Sequence, residues 1–218
     1  MRTRSYGALL GAAMLAGMTA CASSSTPAGG FQPAGGPATP ASAPAYSAAE
    51  VATAHFPFPS GIHIDFQTPL PSGLQPARAA VTYENYQLAY YYAIYSRGES
   101  KRYLSYLYRS DVPLVAAAQA SVRKYDGEGF TGTLRFYDMT VQPTPGQPGG
   151  LDVSACVNQQ RLFSTDRATG RVIPGQSTAP AGNVSLETYS LDELEGSWKI
   201  VAIASTYYPH GAAKGCYP

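Results

Sequence analysis

The spacing of apolar and polar positions divides the chain into a helical part and a strand part. Over residues 79–125 the apolar residues recur near every third or fourth position. Tyr83, Tyr86, Tyr90 and Ile94 share one helical face, and Leu88, Tyr92 and Tyr95 share a neighbouring one. Gly98 interrupts this pattern. Residues 99–108 predict a second, shorter helix through Tyr103, Leu104 and Leu107. Asp111, with Pro113 close behind it, predicts the N-cap of a third helix that runs through Val115, Ala118 and Val122 to Tyr125. Beyond Gly127 and Gly129 the period changes to two. Residues 129–142 predict a strand with Leu134, Phe136 and Asp138 on one face and Arg135, Tyr137, Met139 and Val141 on the other. A second strand spans 151–163, and Gly170 turns it back into Arg171-Val172-Ile173. Residues 184–191 and 197–207 complete an antiparallel meander. Ahead of the helices, Ile62, Ile64 and Phe66 alternate, while Pro59, Pro69 and Pro71 confine that segment to a sheet edge. Helices followed by an antiparallel sheet predict an α+β domain.

The N-terminus has a different pattern. Arg2 and Arg4 precede an uncharged Ala/Leu/Gly/Met run, and Thr19-Ala20 lead to Cys21. This is the layout of a secretory signal peptide, and its end resembles the bacterial lipobox, in which the cysteine becomes the lipidated first residue. The run is too short and too rich in Gly and Ala for a transmembrane helix. Ordinary secretion competes, because Ala20-Cys21-Ala22 also fits a small-residue cleavage site and Met18 replaces the usual leucine of the lipobox. Cysteine parity favours lipidation of Cys21, which leaves Cys156 and Cys216 as a pair. The expected organisation is therefore a signal peptide over 1–20, a lipidated Cys21 with a disordered Ala/Ser/Pro/Gly tether over 21–50, and a folded domain over 51–218. The expected location is the extracytoplasmic face of a cell membrane, held by the lipid.

Composition changes the picture in two respects. Removing residues 1–20 takes two arginines from the 15 basic residues and none of the 14 acidic ones, so the formal charge moves from +1 to −1. A near-neutral chain carries no electrostatic footprint for nucleic acid. Outside the cytoplasm Cys156 and Cys216 can oxidise, and with no His pair nearby a disulfide suits them better than a zinc site.

The order of the elements, closed by Gly196-Ser197-Trp198-Lys199-Ile200 at the last strand, resembles the NTF2-like (cystatin-like cone) superfamily. More narrowly, several motifs resemble a set of small extracytoplasmic lipoproteins of high-GC Gram-positive bacteria, most without an assigned role. They are Pro57-Phe58-Pro59-Ser60-Gly61, Cys156-Val157-Asn158-Gln159 and the hairpin at 166–172. The resemblance implies N-terminal helices packed on a bent antiparallel sheet, with a pocket between them. It also implies that relatives such as the SnoaL-like cyclases and ketosteroid isomerases use an acid in that pocket for proton transfer. In this sequence Asp138 is the candidate general base, with Tyr86 and Tyr90 as pocket hydroxyls. An ion pair of Asp138 with Arg135 or Arg123, or a place where the strand leaves the core, is the competing reading.

His55, His63 and His210 stand apart from any carboxylate or cysteine at ligand spacing, so the sequence supports neither a metal site nor a catalytic triad. No cofactor motif is present. Arg97, Lys101, Arg102 and Arg109 gather around the second helix, either as a solvated face or near lipid headgroups. Two functions follow. One is a non-catalytic module on a lipid anchor that binds an envelope protein or a small apolar ligand. The other is an enzyme using Asp138. Sheet-mediated homodimerisation is a further expectation.

Overall fold

The computed structural model describes residues 46–217. The expected signal peptide, the lipidation site Cys21 and most of the expected tether lie outside the described residues. The described chain runs through a 3-10 turn at Ala48–Val51, strand β1 (Ile62–Phe66), helix α1 (Leu74–Tyr95), a 3-10 turn at Arg102–Ser105 and helix α2 (Val112–Lys124). Strands β2 (Glu128–Pro143), β3 (Leu151–Asp166), β4 (Val184–Leu194) and β5 (Ser197–Tyr207) follow, and a 3-10 turn at Gly211–Cys216 closes it.

The five strands form one sheet in the order β1-β2-β3-β4-β5. Strands β2 to β5 are antiparallel neighbours, whereas β1 pairs parallel to β2, so the sheet is mixed. Parallel neighbours need a long crossover, and α1 and α2 provide it between β1 and β2. This α+β arrangement, with helices leading into a long bulged sheet, is the one implied by the resemblance to NTF2-like cones. The edge position expected for β1 holds as well.

Helix α1 buries Tyr83, Tyr86 and Ile94 against the sheet, as its periodicity predicted. It begins earlier than expected because Ala77 and Val81 also pack, against Val51 and Leu74. Asp111 caps α2 by accepting a hydrogen bond from the Leu114 amide at 3.0 Å. The second helix expected over 99–108 is only the turn Arg102–Ser105. Its continuation bonds to β5 instead: the Ile200 amide donates to the Tyr106 carbonyl at 2.8 Å, and the Tyr108 amide to the Ile200 carbonyl at 2.9 Å. Those edge bonds take backbone groups that a helix would have used. Likewise the expected return strand at 171–173 is reduced to one bridge, Thr165 to Val172.

Arg167, at the turn after β3, donates to the Tyr95 carbonyl at 3.1 Å, to the Ile94 carbonyl at 2.9 Å and to the Glu128 carbonyl. It thereby caps the negative end of α1 and fastens that end to β2. Cys156 and Cys216 are disulfide-bonded, as expected, across 60 residues. The bridge holds the last turn over the outer face of the sheet, where Val184, Leu186, Tyr137 and Tyr208 pack around it. The Tyr137 hydroxyl donates to the Cys216 carbonyl there.

Candidate functional site

Two bulges decide which side chains enter the space between sheet and helices. On β2 the register skips between Tyr137 and Thr140, and Asp138 adopts φ 51°. The freed Met139 amide donates to the Thr68 hydroxyl at 2.9 Å. Past this point parity is reversed: Met139 and Val141 turn to the core, and Asp138 is exposed. Asp138 therefore does not share the inner face with Leu134 and Phe136, and it is not the pocket base the alternation placed there. Tyr86 does lie inside, 3% exposed, and Tyr90 is half-buried beside it, with ring centroids 5.9 Å apart.

The acid on the inner face is Glu187 of β4. It shares that face with Tyr189 and Leu191, which are 5% and 0% exposed. The Gln87 side-chain amide of α1 donates to Glu187 Oε2 at 3.0 Å and to the Tyr189 hydroxyl at 2.9 Å. The Tyr189 hydroxyl in turn donates to Glu187 Oε2 at 3.0 Å. The result is a closed triangle of hydrogen bonds linking α1 to the sheet. Tyr83 packs against Tyr189 at 4.9 Å, and its fully buried hydroxyl has no hydrogen-bond partner among the described residues.

Across the ladder Glu187 faces Ala155 on one side and Ser205 on the other. Ala155 is sealed in the core at 0% exposed whereas Ser205 is exposed, so Glu187 is half-buried and opens on the Ser205 side, while Gln87 and Tyr189 beside it are sealed. Tyr90 and Tyr91 of α1 and the exposed Tyr207 of β5 stand near enough for the Glu187 charge to raise their hydroxyls, and this half-open place between α1 and β5 is the candidate recess. Tyr90 is tied to Ser121 of α2 at 2.6 Å, and Gln159 of β3 donates to the Tyr91 hydroxyl at 3.3 Å.

Burial among these rings pushes the Glu187 carboxyl above the usual carboxylate range, against the lowering effect of the Tyr189 and Gln87 hydrogen bonds. Burial also raises Tyr83, Tyr91 and Tyr189 well above the ordinary phenol range, and the nearby Glu187 charge adds to each. Tyr90 is pushed up to about 12 by the same burial, which its Ser121 hydrogen bond opposes. At neutral pH the recess therefore presents neutral phenols around one carboxyl.

The histidines do not join this site: His55, His63 and His210 are all exposed. No group of His, Cys, Asp and Glu among the described residues is arranged to hold a metal ion. Arg102 lies over the Phe56 ring at 4.2 Å. Arg97 and Lys101, with Arg123, line a small cleft of about 100 Å³ where α1 and α2 both end, a place where cations complement helix dipoles. On the outer face, Arg135, Arg161 and Phe163 line a shallow groove of about 470 Å³ beside the other register shift, between Thr133 and Arg135.

No family model and no curated protein matches the chain. Among solved structures, Aln2 from a Streptomyces species is similar at 14% identity and a TM-score of 0.42, over 64% of this chain and 94% of that one. A proposed aromatic ring hydroxylase from Novosphingobium aromaticivorans is similar at 11% identity and a TM-score of 0.41, over 69% of this chain and 100% of that one.

Proposed function

We propose that this chain is a membrane-anchored extracytoplasmic lipoprotein whose domain binds a small ligand without transforming it, in the recess floored by Glu187. The observation that carries the ligand reading is the hydrogen-bonded triangle Gln87–Tyr189–Glu187 beside the exposed Ser205 across the ladder, where Glu187 stays half-buried. Such an arrangement fixes one polar group in a mostly aromatic setting, the usual composition of a small-molecule site. The deeper interior is closed by Tyr83 and Tyr86, each in ring contact with Tyr189, so ligand access is from the Tyr207 side. Anchoring rests on the signal-peptide layout and on the pairing of Cys156 with Cys216, which leaves Cys21 as the odd cysteine.

Two experiments test this. Cys21→Ser should move the protein from the membrane fraction to the medium, and unchanged membrane retention would refute the anchor. A fragment screen read by amide shifts should place its hits at Gln159, Glu187, Ser205 and Tyr207. Hits confined to the outer groove at Arg135 and Arg161 would refute the recess.

A second reading is proton transfer, with Glu187 in the role first given to Asp138. Its raised carboxyl, close to several phenols, favours this reading. Under it, Glu187→Gln abolishes a turnover that Asp138→Asn leaves intact.

A further inference from the structure

The chemistry of the recess defines the charge of its occupant. We propose that it receives a small organic cation, an alkylammonium head group, held by the Glu187 carboxylate against the rings of Tyr90 and Tyr91; this rests on the recess being a ligand site at all.

Glu187 Oε2 already accepts from both Gln87 and Tyr189. Burial raises this carboxyl overall, and the two donors converging on one of its oxygens favour the ionised form against that burial. Its Oε1 accepts no hydrogen bond from any described residue, and it is not among the buried unpartnered atoms, so it opens to solvent in the recess. No Lys, Arg or His among the described residues is ion-paired with this carboxyl. A carboxylate withdrawn from water without a counter-charge is costly. A ligand that brings its own positive charge and N–H donors removes that cost, whereas a neutral or anionic ligand does not.

The walls agree with the floor. The Tyr90 and Tyr91 rings meet nearly at right angles, 87° apart with centroids at 5.5 Å, forming an aromatic corner above α1. Aromatic faces attract ammonium groups, and more so when water is excluded. The exposed Ser205 across the ladder leaves that side of the carboxyl uncovered for a compact head group, while the exposed Tyr207 leaves the rim open for an attached chain.

The test uses the mature chain at pH 8, titrated with n-butylammonium chloride and, separately, with the neutral isostere n-butanol. Binding is followed through the ring signals of Tyr90, Tyr91 and Tyr207. The cation should bind about tenfold or more tightly than the alcohol. Glu187→Gln, nearly the same in size, should lose that preference while its melting temperature shows it folded. Equal affinities in the unaltered protein would overturn the cation assignment and leave the recess standing. If neither probe moves the ring signals, the recess itself fails as a ligand site. Should Glu187→Gln not fold, the comparison of the two probes on the unaltered protein decides the matter alone.

Discussion

The Glu187 carboxylate and the Gln87 side-chain amide are 100 residues apart in sequence and 3.0 Å apart in the fold. This contact joins the middle of α1 to β4, the strand next to the β5 edge, and with Tyr189 it fixes a polar group beside the α1 tyrosines. Because the Gln87 hydrogen bond lowers the Glu187 pKa, removing it should raise that pKa further. Gln87→Met keeps the bulk and deletes the donor. It should shift the carboxyl titration upward and cost roughly 1–3 kcal/mol at neutral pH. Carbon-detected NMR of the Glu187 carboxyl, with a denaturation curve, measures both; an unchanged titration would show that the amide does not support the carboxylate.

Glu84 supplies a separate pH response. It is 6% exposed on the far face of α1, and burial raises its pKa from 4.5 to about 7, which the weak Thr53 hydrogen bond opposes. A carboxyl raised in the folded state favours folding while it is protonated. Its contribution is therefore fully present below pH 4.5 and is lost as pH rises to about 7. Glu84→Gln should match the unaltered protein near pH 4 and be more stable above pH 7, by on the order of 3 kcal/mol. Parallel stability–pH curves for the two proteins would contradict this.

Asp138 should respond as a bulge residue and not as a base. Its φ of 51° suits Gly or Asn. Asp138→Asn should be close to neutral and Asp138→Val should lose roughly 1–2 kcal/mol, with ligand binding retained in both. Loss of binding in Asp138→Asn, with the fold intact, would return this residue to the site.

Beside the register shift between Thr133 and Arg135 lies Gly132, at φ 103°, where an added Cβ would collide with the Arg161 carbonyl oxygen. Gly132→Ala should destabilise by about 3 kcal/mol or more, because both the backbone angle and the contact are lost. Reducing the Cys156–Cys216 bridge should cost roughly 4 kcal/mol through loop entropy. Chemical denaturation of each measures these losses.

The helix faces, the Asp111 cap, the disulfide and the edge position of β1 were legible because each follows from local spacing or pairing rules. The bulges were not. A two-residue alternation read across 129–142 has no sign of where an extra residue enters, and that one residue exchanged the places of Asp138 and Met139. Glu187 was within reach, since it alternates with Tyr189 and Leu191. Its strand, however, is apolar on both faces: Val184 and Leu186 are covered by the Gly211–Cys216 turn. Only knowledge of what the disulfide holds down tells which face is inside.

Native mass spectrometry of the protein isolated gently from its own cells, run beside Ser205→Trp, whose bulk fills the recess, decides whether a ligand sits above Glu187. The unaltered protein should carry a discrete extra mass that disappears on denaturation and is missing from Ser205→Trp. A bare mass in both proteins, or the same adduct in both, would contradict a ligand bound above Glu187.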